Sequence, residues 1–173
     1  IDELMEGVGA RIAAVMQCEW GLVTAGCAAA LTQVTAACVA GADPDKVARL
    51  PDTSGMKNEV IVQASHRQGY DRAVTAVGTR FVQVASRAEL EAAYSERTAM
   101  LLIFGDAAER GPIGVKEMVD SGRARGVPSF VELVREVGWQ QLLLAPGKTP
   151  QGPAGGTDGG GAAGTAAKAS DSD

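Results

Sequence analysis

The sequence predicts an α/β fold, a three-layer mainly parallel sheet, from three observations. Short runs rich in β-branched residues alternate with helical segments from residue 59 onward. The run Ala99 to Phe104 is apolar without alternation, the pattern of a strand covered on both faces. The chain of 173 residues is 46% apolar and 21% charged, enough for one core around such a sheet. With only 4% aromatic residues, Ala, Val and Leu must fill that core.

Each element follows from local pattern. Ile1, Leu4, Met5, Val8, Ile12, Val15 and Met16 share one helical face, which predicts an amphipathic helix over about 2–18. Gly21-Leu22-Val23-Thr24 reads as a short extended piece and Ala25-Gly26-Cys27 as a small-residue turn. Ala28 to Val39 reads as a helix stopped by Gly41. Asp43 before Pro44 is a cap-then-proline start for a short helix to Arg49, and 51–58 is a loop. Glu59 to Gln63 is a strand, Tyr70 to Val77 a helix ended by Gly78, and Arg80 to Val84 the next strand. Ser86, with Glu89 three residues on, caps a helix through about Glu96. After the apolar strand comes a helix over Val115 to Arg125, and Gly126-Val127-Pro128 leads to a fourth strand. This βαβ rhythm is that of a parallel sheet with helices on both sides.

Residues 149–173 contain no Ile, Leu, Val, Met or aromatic residue. Such a segment cannot bury enough surface to offset its ordering entropy, so it is expected to be a disordered Gly/Ala-rich tail, with the folded domain spanning 1–148. The net charge of −5, with no dense Lys/Arg cluster, gives no support to nucleic-acid binding as the main role. No apolar run approaches bilayer-spanning length, so no membrane partner is expected. Cys18, Cys27 and Cys38 lack CxxC spacing and His66 is the only histidine, so a zinc site is rejected. Buried free thiols in a reducing, cytoplasmic compartment are expected.

Three features fall where strands of a parallel sheet end and ligands collect. Thr24-Ala25-Gly26-Cys27-Ala28 opens a helix with small side chains. Unpaired N–H groups there suit a phosphate, although close packing explains the same residues. His66, after the 59–63 strand, can stack on a ligand or be a polar loop residue; Arg67 can pair an anion or be a solvated charge. Lys148 follows Leu142-Leu143-Leu144 and Gly147, where a desolvated amine could form a Schiff base or simply open the tail. There is no Ser-His-Asp arrangement, GxGxxG or P-loop, and Glu89, Glu91 and Glu96 read as a solvated helix face.

The strings Val23 to Leu31 (VTAGCAAAL) and Ala36 to Gly41 resemble one group of proteins, as do Leu50-Pro51-Asp52-Thr53 and Gly55 to Ile61 (GMKNEVI). His66-Arg67 with Tyr70-Asp71 and Ala73-Val74 continue the likeness, which covers roughly residues 7–131. The chain resembles the fold-type I pyridoxal-phosphate enzymes of the bacterial selenocysteine synthase (L-seryl-tRNA selenium transferase) family. Its branch containing D-glucosaminate-6-phosphate ammonia-lyase fits better. The resemblance implies a partial large domain of a PLP-dependent transferase. It implies pyridoxal 5'-phosphate as cofactor and a homo-oligomer. The substrate would be an amino acid or amino sugar acid phosphate, with tRNA possible but not favoured. Thr24, Ala25, Gly26, Cys27 and Ala28 match the phosphate cradle, and His66 the position facing the cofactor ring. Glu132 matches the acidic partner of the ring nitrogen, and Lys148 the Schiff-base lysine. The chemistry implied is elimination or replacement, of ammonia-lyase or selenium-transferase type.

Two departures set up further expectations. The acidic partner is normally Asp, one methylene shorter than Glu132. The span from Glu132 to Lys148 is also shorter than the family's, and read locally Ser129 could cap a helix with Phe130, Leu133, Val134 and Val137 on one face, which would put Glu132 on a helix rather than at a strand end. The loss of core-forming residues downstream is that expected of a truncated or frame-shifted product beginning near residue 129. The competing expectations are a non-catalytic α/β fragment that has lost the cofactor site, and an unrelated phosphate-accepting α/β domain.

Overall fold

The computed structural model describes residues 1–104 and 110–132. In chain order the elements are α1 (Asp2–Met16), α2 (Cys27–Ala40), α3 (Pro44–Arg49), β1 (Glu59–Gln63), α4 (Asp71–Thr75) and β2 (Arg80–Val84). Then follow α5 (Arg87–Ala93), β3 (Thr98–Phe104), α6 (Val115–Ala124) and β4 (Ser129–Glu132). A single 3₁₀ turn, Ala64–His66, leaves the end of β1.

The caps read from the sequence are built as expected. The Asp43 carboxylate accepts from the N–H groups of Asp45 and Lys46 at 3.0 and 3.2 Å. Ser86 Oγ accepts from Glu89 N–H at 3.2 Å, while Glu89 Oε2 reaches back to Ala85 N–H at 2.8 Å. These contacts satisfy donors that the first helical turn leaves open.

The four strands are parallel, in the order β2-β1-β3-β4. Adjacent residues of the two central strands enter opposite faces. Val60, Val62, Met100, Leu102 and Phe104 pack with Leu31 of α2 and Val74 of α4. Ile61, Leu101 and Ile103 pack on the other face with Leu90 of α5 and Met118 of α6. Every residue of β1 and β3 is buried, which is why β3 shows no alternation. The result is the three-layer α/β sandwich that the sequence predicts.

Three local readings need correction. The helix expected over Tyr70 to Val77 is shorter, Asp71–Thr75. The helix with Ser129 as its cap is not formed over 129–132; those residues are β4, paired with β3 from Leu101↔Ser129 to Phe104↔Glu132. Phe130 packs on one side of the sheet and Val131 on the other, a two-residue period that a helix could not give. Lastly, Cys18 is exposed, beyond the end of α1, and Cys27 and Cys38 are only partly buried; all three thiols are free. Lys148 and the tail 149–173 lie outside the described residues.

α1 forms as expected but contributes no side chain to the core clusters; its Leu4 and Val15 stay exposed.

Candidate functional site

In the order β2-β1-β3-β4, the chain runs from β1 outward to β2, returns past β1 to β3, and continues outward to β4. The direction reverses between β1 and β3, and the crevice beyond the carboxyl ends of those strands is where such sheets take ligands. Gln63, Phe104 and Glu132 end β1, β3 and β4 at that edge.

His66 sits over the split. It is 1% exposed, and its Nδ1 faces the Phe104 N–H at 3.4 Å while its Nε2 lies 3.3 Å from Gln63 Nε2. The ring thus bridges the ends of the two strands between which the topology reverses. Gln63, fully buried, also donates to the Ile113 carbonyl at 2.8 Å and accepts from Ile113 N–H at 3.1 Å. This two-point clamp ties the approach to α6 onto the end of β1. Gln63 is a site residue that the sequence reading missed; the available signal was a polar side chain at the carboxyl end of a strand with an apolar centre. Arg67, the residue after His66, is engaged locally. It pairs with Asp71 at 2.5 Å and lies over the Phe81 ring at 4.5 Å.

α2 starts at the same edge. Gly26 precedes it with φ 102° and ψ 178°, a conformation that side chains strain to adopt, and space for 4 Å around the position of an absent Cβ is open. Among the described residues no side chain caps the helix. Thr24 Oγ1 donates to the Gly26 carbonyl at 3.0 Å, bracing the turn without covering the first helical N–H groups. Small residues and open N–H groups at a helix start form an anion-receptive end.

Glu132 is 7% exposed at the end of β4, and its Oε1 accepts from Cys27 Sγ at 3.1 Å. The start of α2 and the end of β4 therefore meet, although 105 residues separate them. Burial, then the hydrogen bond and the charge of Glu132, push the Cys27 thiol up to about 12, so it stays protonated and donates. Of the expected site residues, the structure gathers Gly26, Cys27, His66 and Glu132, with the neighbouring Thr24, Ala25 and Ala28, at one sheet edge. Lys148 lies outside the described residues.

A helix start open to phosphate, a buried carboxylate beside it and a histidine over the split fit a phosphorylated ring cofactor. The fold and this site define the chain first as a parallel α/β protein whose candidate site lies at the switch point. Comparison with known proteins takes this further. The chain is 31% identical over 147 residues to D-glucosaminate-6-phosphate ammonia lyase of Salmonella typhimurium, covering 79% of this chain and 40% of that protein. It is 32% identical over 158 residues to 5'-C-glycyluridine monooxygenase-decarboxylase of a Streptomyces species, covering 84% of this chain and 40% of that one. A solved structure of D-glucosaminate-6-phosphate ammonia-lyase superposes with a TM-score of 0.73 at 28% identity, over 81% of this chain and 42% of that chain. No family model matches. Over the part it spans the chain is a homologue of these enzymes and shares the α/β fold of the solved D-glucosaminate-6-phosphate ammonia-lyase. It spans about 40% of the length of the curated relatives it matches. Among the described residues no helix is long and apolar enough to cross a membrane.

Proposed function

We propose that this chain is the cofactor-holding part of a pyridoxal-phosphate-dependent enzyme of the elimination or replacement type, closer to ammonia lyases than to selenium transferases. The observation that carries the reading is the meeting of an uncapped helix start with a buried carboxylate, Cys27 Sγ to Glu132 Oε1 at 3.1 Å, beside the switch point. When bound, the cofactor supplies an electron sink for a carbanion at the carbon bearing the substrate's amine. The chain's own residues supply the rest. The open N–H groups after Gly26 receive the phosphate, with help from the helix dipole. The Glu132 carboxylate holds a proton on the ring nitrogen, which keeps the ring electron-poor. His66, its ring set by Gln63 and Phe104, provides an orienting wall. Lys148 Nζ anchors the cofactor and moves the substrate's proton.

The substrate class is a small amino acid or amino sugar acid phosphate, in keeping with the name of the Salmonella relative. A homo-oligomer is part of the same reading, as is a cytoplasmic location. The competing reading is a non-catalytic α/β fragment, and one experiment separates them. The purified chain is mixed with pyridoxal phosphate, its visible absorbance recorded, and the adduct fixed with borohydride and mapped. A visible band with label on Lys148, lost in Lys148→Ala, supports the proposal. Absence of a band, or label scattered over surface lysines, leaves the fragment reading.

A further inference from the structure

The resemblance places Cys27 in the phosphate cradle, but its side chain does something else. Sγ belongs to the first residue of α2, yet it neither caps that helix nor bonds within it. It crosses to the end of β4 and donates to Glu132 Oε1 at 3.1 Å. A group whose proton lies on a carboxylate presents nothing to a phosphate, so Cys27 offers an anion only its backbone N–H. The contact also depends on chain length at position 132. Shortening Glu to Asp withdraws the carboxylate by about 1.5 Å, one carbon–carbon bond, and takes the oxygen out of thiol range.

We infer that Cys27 is a positioning residue for Glu132, its thiol holding the carboxylate against the start of α2 so that the acid meets a ring nitrogen in one orientation. This rests on the cofactor reading above and deepens it. The thiol suits the task because it remains an uncharged donor over the working pH range; burial and the adjacent carboxylate both oppose its ionisation. The longer acid and a donor at position 27 form one unit, broken by shortening the acid or by removing the donor.

The test has two arms on the full chain. The first needs no cofactor. In a Cys18→Ser, Cys38→Ser background, the rate of Cys27 alkylation by iodoacetamide is followed against pH by mass spectrometry. Glu132→Gln should speed alkylation, about three- to fourfold for each unit by which the thiol's pKa falls, since the gain in thiolate is partly offset by its lower nucleophilicity, and Glu132→Asp should do so partly. An unchanged rate in both variants overturns the contact. The second arm titrates the absorbance of added pyridoxal phosphate against pH in wild type, Cys27→Ser and Cys27→Ala. Cys27→Ala should shift the midpoint and bind the cofactor more weakly, while Cys27→Ser, which keeps a donor, should stay close to wild type. Titration of Cys27→Ala as wild type overturns the positioning role. Should wild type take up no cofactor, the functional reading fails and the positioning role with it. The first arm would still report the contact itself, so the two failures are distinguishable.

Discussion

The two ends of the same sheet treat buried polar groups in opposite ways. At the amino-terminal edge, Glu59 is a buried carboxylate surrounded by the fold's own donors. Ser95 Oγ reaches its Oε2 at 2.5 Å, Arg97 Nε reaches its Oε1 at 2.9 Å, and Arg80 pairs with the same oxygen. These partners lie at or just before the starts of the neighbouring strands β2 and β3, so the carboxylate ties three strands together. Ser95, the arginines and their charges hold its pKa below the ordinary value. Nearby, Asn58 Nδ2 donates to Thr53 Oγ1, which donates to the Gly78 carbonyl, closing the loop over this edge. At the carboxyl-terminal edge, among the described residues, the helix start of α2 is left without a side-chain cap, and Glu132 accepts from the Cys27 thiol. One edge is closed by strong mutual pairing; at the other, a helix start without a side-chain cap lies beside a buried acid. A buried acid with a shifted pKa is thus not by itself a sign of chemistry, since Glu59 serves to tie strands together.

The sharpest way to break the comparison is at glycines on the two edges. Gly78 has φ 94°, and a Cβ there would lie 1.9 Å from the Pro51 carbonyl oxygen. Gly78→Ala should cost ~3 kcal/mol or more, read as a drop in the urea midpoint, because both conformation and contact resist it. Next comes Glu59→Gln, which keeps the shape and removes the charge. It should cost about 2 kcal/mol, since hydrogen bonds to a charged group are lost while the exposed arginines regain water. The depressed pKa of Glu59 gives stability that is present above the ordinary value of 4.5 and lost as pH falls through the folded-state value. Wild type should therefore lose more stability than Glu59→Gln when acidified below 4.5, and equal losses would contradict the ion cluster's role. The smallest effect belongs to the other edge. Gly26→Ala meets no atom within 4 Å, so only backbone strain, about 1–2 kcal/mol, is expected. Its larger consequence should be weaker phosphate-ligand binding, measured by titration with pyridoxal phosphate, an effect that Glu59→Gln should not share.

Strands β1 and β2 and the Asp43 and Ser86 caps were legible because they depend on residues within a few positions of one another. The candidate site was legible only in part. Thr24 to Ala28 and His66 could be placed near strand ends from the sequence, but Gln63 could not, because its partner Ile113 lies 50 residues away. Position 129–132 shows the limit best. Its spacing satisfies a helix as well as a strand, and the pairing of its backbone with β3 decides for the strand.

What the sequence by itself determined is the alternation of elements, the two-sided burial of β3 and the helix caps, since periodicity and capping are local and additive. Only the tertiary structure decided which strands adjoin, where the direction of the sheet reverses, and that Cys27 meets Glu132. Those facts come from the order β2-β1-β3-β4, set by the burial of two apolar faces at once, which no single segment encodes.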